Sequence, residues 1–254
     1  MIIFVRMFKK RIKIKNTKGS VMIKLKLTAI VSAAGIFLSA LTTPLMAFSV
    51  GAGGTFGGTY AEITGTETLR SSNVTQSATE STVGALASAY VQAIVGEGMF
   101  GEGNGFAIGY EHIFGEATFK GDTDNKSDII STVGAVSDGV QHAEATLENL
   151  NTIFIETPGF TALGLYLKAG YSEMDVRTKE VLLTGGSYGD SSSSGEVYGF
   201  GFKKSAGGFQ IKTEFNYTDW DQISVNNTSD STGTSTVTGT PENWTGKISF
   251  GYNF

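Results

Sequence analysis

Hydrophobic and polar residues alternate along short stretches of the chain after residue 47. In NGFAIGYEHIF, residues 104–114, the large side chains of Phe106, Ile108 and Tyr110 alternate with Ala107, Gly109 and Glu111. This period of two is typical of a β-strand with one apolar face. The same alternation recurs in five further stretches: 48–60, 161–171, 196–204, 208–220 and 244–254.

Two other stretches are less regular. Residues 81–95 are apolar on both faces, and residues 142–156 mix large apolar side chains in both rows, so the pattern does not assign their facing. Counting both as strands gives a total of eight. The stretch 81–95 also fits a helix.

The connections between these stretches alternate in length. Short connections lie at about 96–104, 157–159 and 204–208, and long polar connections lie at about 62–80, 120–141, 173–194 and 220–243. Short turns at one end and long loops at the other are typical of an up-and-down barrel that crosses an outer membrane. The sequence therefore predicts an all-β fold over residues 48–254: an antiparallel, eight-stranded transmembrane β-barrel, expected to be a monomer.

The polar rows support a barrel over a soluble sandwich. They are rich in glycine and small residues, with one or two Lys or Glu residues in five of the six regular stretches, whereas the polar rows of a sandwich would face water. A small barrel has an interior just wide enough for side chains, and charges buried there must pair. Alternation places six charged residues inside: Glu111, Lys168, Lys203, Lys212, Glu214 and Lys247.

These interior charges have two interpretations. In the first, which we favour, they form a paired network that plugs the barrel; in the second, they line a narrow polar conduit. Antiparallel register places Lys247 within about two residues of Glu214, close enough for an ion pair.

The amino-terminal region differs sharply in charge from the rest. Residues 1–47 hold nine of the 19 Lys and Arg residues and no acid, which leaves ten basic and 24 acidic residues afterwards, or −14. Residues 27–41 form an uncharged apolar run, shorter than the roughly 20 residues of a spanning helix. We favour Sec export with cleavage of a signal peptide after Ala47 over a retained membrane anchor, and Met22 is an alternative start.

The acidic body and the absence of cysteine exclude several functions. A nucleic-acid surface needs basic clusters, so no nucleic-acid partner is expected. Without cysteine, a disulfide framework, thiol catalysis and cysteine-based metal sites are all ruled out.

The final stretch, WTGKISFGYNF, places Phe250, Tyr252 and Phe254 on its apolar row. This ending resembles the assembly signal of bacterial outer-membrane proteins, whose last strand the insertion machinery recognises. The body, with LGLYLKAGYSEMDV followed by a glycine- and aromatic-rich strand, resembles the small eight-stranded opacity-protein and OmpA-barrel family. The resemblance implies a location in the outer membrane of a Gram-negative bacterium, among outer-membrane lipid and lipopolysaccharide.

No motif in the sequence indicates catalysis, a cofactor or a metal. GAGGTFGG, residues 51–58, lacks the spacing and the βαβ context of a dinucleotide site. His112 and His142 are the only histidines, and no serine lies in a recognisable catalytic setting. Residues 122–128 resemble the start of a calcium loop but lack its sixth-position glycine, so a solvated polar loop is the preferred interpretation.

The sequence therefore favours a non-enzymatic scaffold that displays surface loops for adhesion, surface interaction or envelope integrity, with an unknown extracellular ligand. A small porin-like channel is the main alternative. A membrane-embedded lipid-modifying enzyme is a more distant one.

Overall fold

The computed structural model describes residues 48–69, 74–120, 124–130, 135–181, 187–227 and 236–254. The predicted signal peptide, residues 1–47, lies outside the described residues. The elements within these ranges are β1 (Phe48–Leu69), β2 (Val74–Val95), α1 (Glu97–Phe100), β3 (Phe106–Phe114), β4 (Ala117–Lys120), β5 (Asp124–Ile130), β6 (Ala135–Glu156), β7 (Leu165–Val181), β8 (Ser191–Ala206), β9 (Phe209–Trp220), β10 (Ile223–Asn226) and β11 (Thr236–Asn253).

Eight of these strands close into one antiparallel ring. Their order is β1–β2–β3–β6–β7–β8–β9–β11, and β11 pairs back onto β1. Following the register once around the ring from Tyr60 leads to Val50, ten residues earlier on the same strand. A closed barrel needs such a stagger. The predicted fold class is thus confirmed, and the irregular stretches 81–95 and 142–156 both belong to barrel strands.

Large apolar side chains cover the outside of the ring. On β9, for example, Phe209, Ile211 and Phe215 point outward and are more than half exposed. The corresponding outward residues on the other strands include Phe48, Val50, Phe56, Val91, Phe106, Ile153, Leu167, Phe200, Phe202, Ile248 and Phe250. Such a surface is unfavourable in water and favourable in hydrocarbon. Since the closed ring pairs its backbone groups internally, it meets the condition for spanning a membrane.

Aromatic residues mark the two edges of this apolar band. Phe48 lies at one edge and Tyr60 at the other, twelve residues apart on β1. At about 3.3 Å per residue and a tilt of about 40°, this separation corresponds to roughly 30 Å along the barrel axis. Within the described ranges no helix is long and apolar enough to cross a membrane.

The bounds predicted for the long loops are wrong. β1 continues to Leu69 and β2 begins at Val74, so most of the segment 62–80 is a β-hairpin that continues the wall. In the other three long connections, β4 and β5 pair with β6, β7 continues to Val181, and β10 pairs with β11. Part of the supposed calcium-loop segment, from Asp124 onward, is β5 rather than a loop.

The carboxyl-terminal residues close the ring on the side of the short turns. Phe250 and Tyr252 point outward on β11, and the backbone N–H of Phe254 donates to Val50 O at 2.8 Å. Phe254 and Phe209 are exposed to similar extents, at 78% and 69%, in the same aromatic edge. This similarity provides a matched test of the assembly signal.

We predict that Phe254→Ser lowers the amount of inserted barrel far more than Phe209→Ser does. Both changes remove a similar lipid-facing area, and apolar burial contributes about 25 cal/mol of free energy per Å². Of the two residues, only Phe254 belongs to the ending that resembles an assembly signal. The measurement is the heat-modifiable band in outer-membrane fractions. Equal losses in the two variants would show that Phe254 contributes lipid burial alone.

Candidate functional site in the barrel interior

The structure places all six sequence-predicted charges inside the ring, each at most 7% exposed. They come from β3, β7, β8, β9 and β11, because alternate residues of these strands point inward. A seventh charged residue, Glu156 on β6, joins them. Three carboxylates therefore face four ammonium groups in the interior.

Four of these side chains form a closed square of alternating charge. Lys168 Nζ lies 3.3 Å from Glu111 Oε2 and 2.9 Å from Glu214 Oε1. Lys247 Nζ completes the square, at 2.6 Å from Glu111 Oε2 and 3.0 Å from Glu214 Oε1. Lys247 is the direct register partner of Glu214. Because the square joins four strands, it braces the barrel across its interior.

Neutral donors complete the hydrogen bonding of the two carboxylates. Glu214 accepts from Tyr166 Oη at 2.8 Å and from Asn216 Nδ2 at 2.6 Å. Glu111 accepts from Ser88 Oγ at 2.6 Å. Buried charges are tolerated only when they are paired and hydrogen-bonded, and this arrangement meets both conditions.

A second group lies nearer the short turns. Lys212 Nζ is 2.9 Å from Glu156 Oε1 and donates to Gln92 Oε1 at 3.1 Å. Lys203 Nζ is 4.0 Å from Glu156 Oε2, and it donates to Thr157 O at 2.9 Å. Glu156 was not among the predicted interior charges, because the two-residue pattern assigns no facing to residues 142–156. The predicted interior charges include four Lys but only two Glu. This imbalance could have indicated that a further acidic side chain lies inside the barrel.

Aromatic rings fill the space between the charges. Lys168 Nζ lies 4.1 Å from the centre of the Phe154 ring, and Lys212 Nζ lies 4.3 Å from that of Tyr90. Each ring occupies the place that a side chain at an inward glycine would take. A Cβ at Gly109 would lie 2.3 Å from Phe154 Cζ, and a Cβ at Gly53 would lie 2.6 Å from the Tyr90 ring. The interior is therefore packed with side chains at this level.

An apolar cluster occupies the interior beyond the charges, toward the long hairpins. Met174 and Val176 on β7 pack with Trp220 on β9 and Ile223 on β10. Trp220 also donates from Nε1 to Asn243 Oδ1 at 2.8 Å. This cluster adds a second filled level.

The segment between β2 and β3, which includes α1, reaches the opposite side of the ring. Glu102 Oε1 accepts from the backbone N–H of Gly208, in the β8–β9 turn, at 3.0 Å. Gly103 O accepts from Gln210 Nε2 at 3.2 Å, and Gly105 O accepts from Lys203 Nζ at 3.3 Å. These bonds hold the segment across the end of the barrel where the short turns lie.

His112 faces outward, away from the interior. Its Nδ1 lies 2.7 Å from Asn151 Oδ1, and its ring packs edge-to-face with Phe114 at 5.0 Å. Neither neighbour is a nucleophile. The side chain of His142 lies outside the described residues. Among the described residues, no group of three or more His, Cys, Asp or Glu side chains is arranged to hold a metal ion.

The closed ring of eight strands, apolar outside and charge-paired inside, defines an outer-membrane-type β-barrel. Solved structures resemble it at low similarity. Ail, the attachment invasion locus protein of Yersinia pestis, crystallised with the heparin analogue sucrose octasulfate, matches with 9% identity and a TM-score of 0.35, over 81% of this chain and 99% of that one. The outer membrane protein OprG from Pseudomonas aeruginosa matches with 11% identity and a TM-score of 0.40, over 82% and 95% of the two chains.

No protein-family model and no curated protein matches the sequence. Because both TM-scores are low, the assignment to this class rests on the strand pairing and on the facing of the side chains.

We predict that Glu214→Gln and Lys247→Met each lower the free energy of unfolding in detergent by about 3–5 kcal/mol, because each strands a buried partner charge. The double variant should cost less than the sum of the two, since the groups are in contact. Denaturant titration of the three variants measures this coupling.

The pair Arg177–Glu148, with Nε and Oε1 2.5 Å apart, is the control; its arginine side chain is 64% exposed and its glutamate side chain 18% exposed. Arg177→Met should cost less than about 1 kcal/mol. Strict additivity between positions 214 and 247 would show that the two charges act independently.

Proposed function

We propose that this protein is an outer-membrane β-barrel of a Gram-negative bacterium that displays its long hairpins at the cell surface. In this proposal the barrel is a rigid, non-conducting and non-enzymatic support. The hairpins contact other cells, external molecules or lipopolysaccharide. The observation that carries the proposal is the filling of the interior at three levels: the apolar cluster, the charge network and the crossing segment before β3.

The charge network supports a plug rather than a conduit. Its members are at most 7% exposed, and each ammonium group already has a carboxylate or carbonyl partner. A passing ion would have to separate these pairs, and separating a buried pair is costly.

The hairpins support display because they continue as paired strands beyond the aromatic edge. β1 and β2 remain in register from Tyr60 and Val83 up to Leu69 and Val74, nine residues on each strand. At about 3.3 Å per residue, the β1–β2 hairpin projects roughly 20–30 Å, depending on its tilt. Ser and Thr side chains bond across it, as between Thr64 and Thr79 at 3.1 Å. A stiff polar ribbon of this kind can present a contact surface with little loss of entropy on binding.

We predict that the purified protein gives no stable channels in a planar lipid bilayer. The control is a variant in which Met174, Val176 and Trp220 are all changed to Ser. It removes the apolar cluster and so opens only one of the three filled levels of the interior. It should stay silent as well, because the charge network remains. Stable, stepwise conductance by the unaltered protein would overturn the proposal in favour of the porin-like alternative.

We also predict that a shortened β1–β2 hairpin abolishes surface interaction but not folding. Thr64 and Thr79 are register partners, so an Asn-Gly turn can join them without shifting the strands. Adhesion of expressing cells to other cells, matrix proteins and lipopolysaccharide is measured with and without the change. The heat-modifiable band reports folding. If adhesion is unchanged in this variant, the other hairpins are shortened in the same way, one at a time. Adhesion that survives every one of these changes would contradict the display function.

A further inference from the structure

A cleft of about 320 Å³ lies in the lipid-facing surface, at the seam where β1 and β11 close the ring. Its outward walls are Tyr60, Val83, Phe215 and Trp244, and its floor includes Gly58 and Gly246. All six residues belong to the outer rows of their strands. The cleft therefore opens toward hydrocarbon. Three residues of the inward rows, Thr59, Asn216 and Thr245, complete its lining.

Steric demands of the fold do not explain the glycines on the floor. A Cβ at the inward Gly57 would lie 2.2 Å from Gly246 O, so the barrel itself excludes a side chain there. At the outward Gly58 the nearest atom would be Gly84 O at 3.6 Å, and at Gly246 it would be Phe215 Cε1 at 3.5 Å, both ordinary contacts. A glycine within a strand weakens it and often marks a place where a ligand approaches closely.

A row of carboxylates crosses the strands directly beyond the cleft, toward the long hairpins: Glu62, Glu242, Asp219 and Glu196. Glu62 and Glu242 are the two that lie on the strands of the seam. Tyr60 pairs with Trp244 in the register, and two residues further along each strand Glu62 pairs with Glu242. Glu62 accepts from Tyr60 Oη at 3.1 Å, and Glu242 accepts from Tyr217 Oη at 2.9 Å. These donors are neutral, and within the described part of the chain neither carboxylate forms an ion pair. Like charges opposite each other on neighbouring strands are destabilising unless a cation joins them.

We propose that this cleft binds one membrane lipid, with an acyl chain over Gly58 and Gly246 and an ammonium headgroup between Glu62 and Glu242. The apolar cleft matches a hydrocarbon chain, and the paired carboxylates match a positive headgroup. The Tyr60 and Trp244 rings lie between these two parts, at the level where aromatic residues line a membrane interface. A second copy docked by two-fold symmetry would bring further carboxylates to the same place, so charge favours the lipid.

Native mass spectrometry of the purified barrel, with phosphatidylethanolamine or phosphatidylglycerol of identical chains, tests the proposal. We expect one tightly retained phosphatidylethanolamine, preferred over phosphatidylglycerol by about tenfold or more, as for a hydrogen bond to a charged group. Gly58→Leu fills the cleft and should abolish retention of both lipids. Glu62→Gln with Glu242→Gln should keep an acyl chain bound but remove the preference between headgroups.

Two matched controls separate this site from the rest of the surface. Ala89→Leu adds bulk to an outward position on β2 away from the cleft. Glu196→Gln removes a carboxylate of the same row that lies two strands from Glu242 and likewise accepts from a tyrosine, Tyr198. Both should retain the lipid and its preference. The heat-modifiable band checks the folding of every variant. If Gly58→Leu misfolds, the milder Gly58→Ala replaces it, because a Cβ at this position fits without a clash.

Equal retention by Gly58→Leu and the unaltered protein would overturn the proposal, as would equal retention of the two lipids by the unaltered protein. A dimer that Gly58→Leu dissociates would instead assign the cleft to a second copy, which also overturns it.

Discussion

Backbone hydrogen bonding in hydrocarbon is the constraint on which the rest of this structure depends. A lipid bilayer offers no water to an unpaired N–H or C=O, so a sheet that crosses it must have no open edge. Pairing of β11 with β1 removes the last two open edges of the sheet. This pairing extends from Gly51–Asn253 to Thr68–Thr236. Once the ring closes with eight strands, its circumference is set, and the composition of both surfaces follows.

Inside the ring, the small circumference limits what the inward rows can hold. A space that just accommodates side chains leaves little room for water, so polar groups must find partners within the protein. The square of Glu111, Lys168, Glu214 and Lys247 supplies such partners. Rings such as Phe154 and Tyr90 fit only because glycines lie opposite them. Charge pairing and glycine placement are thus two results of the same lack of space.

Alternation predicted the strands, and in six of the eight stretches it also predicted which row faces lipid. It predicted that Lys212 and Glu214 point inward because their neighbours Ile211 and Phe215 need hydrocarbon. It gave no facing for residues 142–156, since apolar side chains there also fill the interior, and Glu156 was missed. Beyond the apolar band the outer face of a strand meets water, so the outward row of large apolar residues ends there, while on β7 Met174 and Val176 lie inside. The hairpin extensions consequently resembled loops.

Contacts between distant segments were beyond the reach of sequence patterns. Met174, Val176, Trp220 and Ile223 meet only because three strands bring them together, and no local feature marks them as a cluster. The segment before β3 looked like a short turn, although Glu102 reaches the β8–β9 turn across the ring.

The same constraint also separates the parts of the molecule that hold the fold from those that are free to change. Within the bilayer, the side chains on both faces of each strand are constrained: those on the outer face contact lipid, and those on the inner face must fit a filled interior. Hairpin residues beyond the aromatic edge, outside the apolar cluster, are held mainly by backbone pairing, which tolerates most side chains. Substitutions there leave closure of the ring intact. The sequences of the hairpins can therefore vary without altering the barrel, and the proposed recognition of external molecules would depend on them.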